Sequence, residues 1–191
     1  MRHAAHGDLG HVLSGRRDSG PLTPPGERQA AALGRRLGAQ GVQRIEASPR
    51  RRCRETAAAL ARRCGVDVRV DERLDEIDFG RWSGAAFDDL EADPGWTLWN
   101  RERALSAPPG GESLIEAQAR AARWLESVRL GGETTVGVSH ADVIKALVAL
   151  LLGAPPQAFA RMEVAPGSIT ALTLWPDGGG RLDRLNEVPD E

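Results

Sequence analysis

The sequence predicts an α/β fold built around a mostly parallel sheet. Segments with strand-like patterns alternate with segments whose apolar residues recur every three or four positions. In sheets of this kind, ligands bind beyond the carboxyl ends of the strands. Two polar pairs, Arg2-His3 and Ser139-His140, stand at predicted strand ends. We therefore expect both histidines to face one crevice.

Capping residues and apolar spacing predict the elements of the first third of the chain. Thr23 is a favoured N-cap, and Pro24 suits the first position of a helix. A second helix carries an apolar stripe at steps of three and four residues. The predicted elements are a helix that begins after Thr23 and ends at Gly38 or Gly41, a strand over 42–47, a helix capped by Ser48 and Pro49 and closed by Gly65, and a strand over 66–70.

Residues 71–111 are rich in glycine and proline and hold three of the five tryptophans. We interpret them as an irregular insertion with one short helix at 86–91. Beyond it, Ser113 and Glu116 have the spacing of a capping box, which predicts a long helix through Val128. The elements predicted after that helix are a strand over 134–138, a buried helix over 142–152, and a hairpin of 169–175 with 181–185.

Length and composition predict one globular domain, residues 1–191, that includes this insertion. The chain has 25 basic and 27 acidic residues, and its net charge of −2 argues against a broad nucleic-acid footprint. Lys145 is the only lysine. Because nearly every basic residue is arginine, an arginine counts as a functional candidate only where its position supports it. The composition gives no indication of oligomeric state.

Three features of the sequence predict a cytoplasmic protein with no membrane partner. No apolar run follows Met1, so there is no sign of a signal peptide. The most apolar stretch, 143–153, is shorter than the ~20 residues of a membrane span. Cys53 and Cys64 stand on one predicted helix, where their Cα atoms would be ~16 Å apart. A disulfide needs less than ~7 Å, so we expect two thiols.

Five residues in this sequence suit the hydrolysis of a phosphate monoester. Such a reaction needs an in-line nucleophile, cations around the phosphoryl oxygens and an acid for the leaving oxygen. Imidazole can be the nucleophile, and guanidinium groups bind phosphate oxygens in pairs. A second, protonated histidine can stabilise the phosphoryl group, and no metal is then required. The candidates are Arg2, His3, Arg52, Glu76 and His140.

The motifs that carry these residues resemble the histidine phosphatase superfamily, in its phosphoglycerate-mutase-like group. They run in the family's order and span Arg2 to Thr170. Each motif is weak alone, but six in order are strong. The matching segments are Arg2-His3-Ala4, 21–30 from Pro-Leu-Thr-Pro-Pro onward, 47–57 with Ser-Pro-Arg-Arg-Arg-Cys, 74–84 with Leu-Asp-Glu-Ile-Asp-Phe-Gly, 108–113, and 138–144 with Val-Ser-His-Ala-Asp.

The resemblance implies a three-layer α/β/α sandwich and a role for each candidate. His3 matches the phosphorylated nucleophile, and Arg2 and Arg52 match phosphate-binding arginines. His140 matches the second active-site histidine, and Glu76 matches the carboxylate that protonates the leaving group. The resemblance implies no cofactor and no metal.

The loop after His3 departs from the family pattern. Ala4 replaces the motif glycine, Ala5-His6 replaces a Glu-Thr pair, and the family's asparagine has no counterpart. We expect Arg16 to supply the missing phosphate contact and assign His6 and His11 to the loop, although His6 remains a candidate pocket residue. Ala141 is a further expected substrate contact, and Arg101, with Arg103, is expected to bind a second acidic group of the substrate.

These observations predict a metal-independent phosphatase acting on a small phosphorylated metabolite, because the insertion should narrow the cleft. Two alternatives remain open: a phosphoglycerate-mutase-type phosphotransferase, and a catalytically silent module that binds a phospholigand. The segment 137–141 resembles a serine-hydrolase elbow, but no histidine follows to complete a triad. His3, His6 and Asp8 have a metal-ligand spacing, but no further ligand cluster accompanies them.

Only two residues precede His3, whereas the family's first strand has several apolar residues before its nucleophile. We therefore expect the natural chain to begin a few residues upstream, and a version extended by an apolar stretch to be more stable.

Overall fold

The computed structural model describes residues 1–190, which contain six α-helices and five strands. Three short 3-10 segments accompany them, at Glu72–Leu74, Gly80–Trp82 and Pro156–Arg161. In chain order the main elements are α1 (Pro24–Leu37), β1 (Arg44–Ala47), α2 (Arg51–Cys64), β2 (Val68–Val70), α3 (Phe87–Glu91), α4 (Pro94–Arg101), α5 (Leu114–Gly131), β3 (Thr135–Val138), α6 (Ala141–Leu151), β4 (Ile169–Leu174) and β5 (Gly180–Glu187).

The central sheet is parallel, as predicted. β1 lies between β2 and β3, with Ile45 opposite Val68 on one side and opposite Val136 on the other. β4 and β5 form the predicted antiparallel hairpin. The first three residues run beside the end of β3, where the Ser139 N–H donates to the Met1 carbonyl at 2.9 Å. On their other edge, the Arg2 N–H donates to the carbonyl of Ser168, just before β4.

Side chains that alternate along β1 divide the molecule into three layers. Ile45 and Ala47 face α1 and α2 and belong to one apolar core. Glu46 points to the opposite face, where the indole N–H of Trp124 on α5 donates to its carboxylate at 2.6 Å. α6 packs with α5 on that side through Val143 and Leu147, among others. The carboxyl ends of the parallel strands lie at one edge of this sandwich.

The caps predicted from the sequence begin the first and the longest helix. The Thr23 hydroxyl accepts a hydrogen bond from the Gly26 N–H at 3.2 Å. Ser113 and Glu116 form the complete capping box, each bonding the other's backbone N–H. α5 continues beyond the predicted Val128 and ends at Gly131, and its C-cap is Gly132, whose φ of 65° suits glycine.

The insertion contains more regular structure than the sequence predicts. α3 agrees with the short helix predicted at 86–91, but α4 was not predicted. Asp93 caps α4 by accepting the Gly95 N–H at 2.7 Å and also accepts the indole N–H of Trp82 at 2.8 Å. The helix is too short to show a periodic pattern, and the aromatic cluster of Trp82, Trp96 and Trp99 stabilises it.

No helix within residues 1–190 combines the length and the apolar character that crossing a bilayer requires. Cys53 and Cys64 both lie on α2 and are free thiols, and Cys53 is fully buried in the core.

Candidate active site

The structure brings His3 and His140 together at the carboxyl edge of the sheet. His3 ends the extended segment that pairs with Ser139, and His140 directly follows that serine. Their ring centroids are 5.3 Å apart, and the rings meet edge to face. Both side chains are buried, with His3 only 3% and His140 0% exposed. The crevice expected from the two strand ends therefore exists.

The surroundings of His3 define which ring nitrogen can act as a nucleophile. Its Nδ1 lies 2.9 Å from the Ala4 carbonyl, which can only accept, so we assign the proton to Nδ1. This leaves the lone pair on Nε2. Burial and the cations of Arg52 and Arg2 lower the pKa of His3 well below its ordinary value. His3 is therefore a neutral imidazole with a lone pair near pH 7.

A chain of hydrogen bonds fixes the ring of His140. Arg52 Nη2 lies 3.1 Å from His140 Nδ1, and His140 Nε2 lies 2.8 Å from Ser48 Oγ. The Ser48 hydroxyl donates to Asp75 at 3.0 Å. Because Arg52 can only donate, we assign the proton of neutral His140 to Nε2. Ser48 follows β1, so the parallel sheet itself positions this chain.

The protonated His140 that we expect beside a phosphoryl group is not the form that its surroundings favour without a bound anion. Burial and the nearby cation of Arg52 lower the pKa of His140 well below its ordinary value. A neutral ring that accepts from Arg52 is the consistent arrangement.

Arg52 and Arg2 place two cations beside the histidine pair. Arg52 is 2% exposed and donates to the Gly15 carbonyl at 2.7 Å as well as to His140. Arg2 donates from Nη1 to the Val164 carbonyl at 2.8 Å. Within residues 1–190 neither guanidinium has a carboxylate within ion-pairing distance, and the Nε atoms of both are buried without a hydrogen-bond partner. These cations are available to a bound anion.

Glu76 lies in the segment after β2, and its carboxyl group is close to His140. Its Oε2 lies 3.5 Å from His140 Nδ1, and its Oε1 accepts the Ile77 N–H at 3.0 Å. Burial, together with the nearby Asp142 carboxylate, raises the pKa of Glu76 to about 8. The carboxyl group is therefore mostly protonated at neutral pH, as a proton donor must be.

These groups line a cavity of about 260 Å³ whose outer part comes from the insertion. Aromatic side chains form one wall, and Arg103 bonds Asp142 at 3.0 Å nearby. Ala141 also lines the cavity and is the first residue of α6, where backbone N–H groups lack intrahelical partners. The aromatic residues of the wall are Phe79, Phe87, Trp96 and Trp99.

Arg16 does not line this cavity, so the structure does not bring it to the predicted phosphate contact. Its guanidinium donates to the Glu76 carbonyl and to Glu112, both at 2.8 Å, and lies near Asp75 and Asp78. Carboxylates far apart in the sequence therefore hold Arg16 on the outside of the loop. What it contributes is the position of the Glu76 backbone.

Arg101 also does not line the cavity, so the structure does not bring it to its predicted substrate contact. It is exposed at the end of α4, and its ion-pair partner within residues 1–190 is its neighbour Glu102, at 3.3 Å. Arg103, two residues later, lines the cavity and stacks over the Trp99 ring at 4.0 Å. The turn after α4 points alternate arginines in different directions, which the sequence alone did not reveal.

His6 lines the cavity, although the sequence analysis assigned it to the loop. Its ring centroid lies 5.1 Å from that of His3, and its side chain is 6% exposed. The signal that pointed to it was its position three residues after His3. His11, by contrast, is exposed and does not line the cavity.

Comparison with known proteins gives consistent matches along the whole chain. The family profile described as histidine phosphatase superfamily (branch 1) matches residues 1–188. The bifunctional protein Rv2228c of Mycobacterium tuberculosis is 33% identical over 180 residues, which cover 92% of this chain and 49% of that protein. This chain thus spans about half the length of its mycobacterial relatives.

Two further alignments cover most of this chain and most of the matched protein. The protein named "Probable phosphoglycerate mutase GpmB" of Salmonella paratyphi B is 34% identical over 188 residues, covering 92% of this chain and 85% of that protein. The solved structure of mycobacterial glucosyl-3-phosphoglycerate phosphatase Rv2419c superposes with a TM-score of 0.87 at 32% identity, covering 97% of this chain and 96% of that one.

Proposed function

This chain belongs to the histidine phosphatase superfamily, and we propose that it hydrolyses phosphate monoesters through a phosphohistidine formed on His3. One observation carries the proposal. A neutral imidazole with its lone pair on Nε2 shares one cavity with two guanidinium groups and with a carboxyl group whose pKa is raised. Among residues 1–190 neither guanidinium has a carboxylate within ion-pairing distance, and both Nε atoms lack a hydrogen-bond partner. These are the nucleophile, the anion-binding groups and the acid that the reaction needs.

The first half of the reaction transfers the phosphoryl group to the protein. His3 Nε2 attacks phosphorus, a P–N bond forms, and the bond from phosphorus to the ester oxygen breaks. The protonated Glu76 carboxyl gives its proton to the departing oxygen, so the alcohol leaves neutral. Arg2 and Arg52 bind the phosphoryl oxygens, on which negative charge is concentrated.

The second half returns the protein to its starting state. Glu76, now a carboxylate, takes a proton from water as the water oxygen attacks phosphorus. The P–N bond breaks, orthophosphate leaves, and Nε2 recovers its lone pair. Glu76 is protonated again and His3 is neutral again.

In this scheme His140 donates a hydrogen bond to the phosphoryl group, and the bound anion itself favours the protonated ring that can donate it. A phosphoryl group near Arg52 and His3 brings negative charge next to the buried ring, which raises the pKa of His140 from its lowered value. An imidazolium then donates to the phosphoryl group from Nδ1. Ser48 and Asp75 hold the ring for this role.

The size of the cavity and the names of the relatives both favour a small phosphorylated metabolite as substrate. The cavity of about 260 Å³ and its aromatic wall admit a compact leaving group rather than a folded phosphoprotein. One structural neighbour is named as a phosphatase of glucosyl-3-phosphoglycerate. We propose that the substrate is a phosphate ester of this general size.

A mutase is the second candidate, because the Salmonella relative carries that name at 34% identity. A mutase must return the phosphoryl group to another hydroxyl before water reaches it. The products of the reaction decide whether water or a second hydroxyl receives the phosphoryl group.

One assay separates these candidates. The full chain is incubated with p-nitrophenyl phosphate, a panel of phosphorylated metabolites and 3-phosphoglycerate, and both free phosphate and isomerised product are measured. Release of phosphate supports the phosphatase, and conversion of 3-phosphoglycerate without phosphate release supports the mutase. Binding without turnover across the panel would instead indicate a silent phospholigand module.

A further inference from the structure

His6 is an additional polar group of the phosphate site, and its backbone is well anchored there. Its carbonyl accepts the Leu9 N–H at 3.1 Å, and the residue forms an antiparallel bridge with Leu22. The imidazole is 6% exposed and lines the same cavity as His3 and Arg52. The rings of His6 and His140 flank that of His3, at centroid distances of 5.1 and 5.3 Å.

The imidazole of His6 has a hydrogen-bonding atom that no protein group satisfies. Its Nδ1 is buried and has no partner within residues 1–190. Buried polar atoms in folded proteins nearly always have a partner, so an exception calls for an explanation. Other residues that line this cavity also carry buried, unpartnered N–H groups: Arg2 at Nε, Arg52 at Nε and Trp99 at Nε1. Several unsatisfied nitrogen groups around one cavity indicate a ligand rich in acceptor oxygens.

We propose that His6 hydrogen-bonds an oxygen of the phosphoryl group beside His3, as a neutral third partner to Arg2 and Arg52. This inference rests on the proposed phosphatase function. Arg16, the other candidate of that loop, is bound to carboxylates and does not line the cavity, whereas His6 does. His6 is the imidazole of the loop that reaches the site, whereas His11 is exposed.

Neutrality is what makes His6 compatible with the nucleophile. Burial and the cations of Arg52 and Arg2 lower the pKa of His6 to about 4, although Asp8 acts in the opposite direction. Near pH 7 the ring is therefore uncharged and can offer one N–H without adding a third positive charge beside His3. An additional cation there would stabilise the phosphate but would weaken His3 as a nucleophile.

The test compares two substitutions of nearly equal length, His6→Gln and His6→Met, with His11→Ala as the control. Glutamine keeps an N–H donor and methionine removes it, while both fill similar space. For each protein we would measure kcat/KM for phosphate ester hydrolysis, the inhibition constant of inorganic phosphate, and the Tm. We expect His6→Met to lose about 10²-fold in kcat/KM, the order found when one donor to a developing oxyanion is removed. His6→Gln should recover most of that loss, and phosphate inhibition should weaken in parallel.

Two results would overturn the role of His6 while wild-type hydrolysis persists. Either His6→Met retains wild-type kcat/KM and phosphate inhibition, or glutamine and methionine cause equal losses at unchanged Tm. If the wild type hydrolyses no ester, the proposed function fails instead. In that case calorimetry with inorganic phosphate tests the role of His6 separately from hydrolysis. Weaker binding by His6→Met than by His6→Gln supports the role, and equal binding rejects it.

Discussion

His3 and His140 are far apart in the sequence, and their imidazole centroids lie 5.3 Å apart at an interplanar angle of 60°. The backbone fixes this relationship, because Arg2 and Ser139 form a parallel bridge immediately before each histidine. Arg52 holds the His140 ring by donating to its Nδ1. Pairing within the sheet therefore sets the distance between the two histidines.

The fork geometry of Arg52 gives the first prediction. Arg52→Lys keeps the charge but cannot reach the Gly15 carbonyl, His140 and a phosphoryl oxygen together. We expect kcat/KM to fall about 10²- to 10³-fold, as for the loss of a group that stabilises developing negative charge. The control is Arg54→Lys on the exposed face of the same helix, which should behave as wild type. Equal rates in the two variants would contradict the role of Arg52.

The raised pKa of Glu76 predicts a dependence of rate on both pH and leaving group. The proton needed by an alkoxide is present below about pH 8 and is lost as the pH rises through that value. We therefore expect kcat/KM for an alkyl phosphate to decline above about pH 8. Glu76→Gln should remove this limb and cost about 10²- to 10⁴-fold for the alkyl ester.

A nitrophenolate leaving group needs no proton, so the same variant should behave differently with p-nitrophenyl phosphate. Stopped-flow absorbance should show a rapid burst of nitrophenolate and then slow turnover, because water activation by Glu76 is lost. Equal losses for both esters, with no burst, would exclude Glu76 as the acid.

Substitutions of Arg103, which lines the cavity, and of Arg101, which lies on the surface, should affect substrate binding differently. Arg103→Gln leaves Asp142 without its cation, so acidic leaving groups should be repelled. Loss of one charge-assisted contact, about 1.5–3 kcal/mol, corresponds to a rise in KM of about 10- to 100-fold for 3-phosphoglycerate. KM for p-nitrophenyl phosphate should change much less. Arg101→Gln should leave both KM values unchanged, and a selective effect of Arg101 would restore the original expectation for that residue.

An apolar cavity of about 260 Å³ between β3 and β4 gives a prediction about stability. It lies next to Met1, and Thr135, Val136 and Leu172 are among its lining residues. A short run of alternating Val and Ile placed before Met1 should pair with both strands and bury apolar surface. We expect Tm to rise by about 2–4 °C for each kcal/mol gained. A Gly-Ser run of equal length is the control, and equal Tm values for the two extensions would refute the prediction.

The sequence predicted the parts of the fold that depend on local chemistry. Thr23 and the Ser113-Glu116 pair carry their capping signals within a few residues, so the starts of α1 and α5 were predictable. The two strand ends likewise predicted that His3 and His140 meet. Side-chain contacts within the insertion were not predictable. The α4 helix depends on an aromatic cluster assembled in three dimensions, and its length hides any periodic pattern.

The substrate contacts illustrate the same limit. From the sequence, Arg52 matches a phosphate-binding arginine of the family, whereas Arg16 was expected to supply a contact that the loop after His3 lacks. Their roles differ because Glu112, far along the sequence, neutralises Arg16, whereas the burial of Arg52 brings it no carboxylate within residues 1–190. His6 was undervalued because its burial depends on the bridge to Leu22.

The most direct test of the account is to trap the phosphoryl group on His3. Glu76→Gln protein, mixed with p-nitrophenyl phosphate carrying a radiolabelled phosphate, should accumulate label because its second half-reaction is slow. After quenching in alkali, where phosphohistidine survives, peptide mapping should find the label on the peptide that contains His3. His3→Ala protein should retain none. Label on another residue would contradict the mechanism. So would a wild-type protein that hydrolyses the ester while the Glu76→Gln protein traps no label.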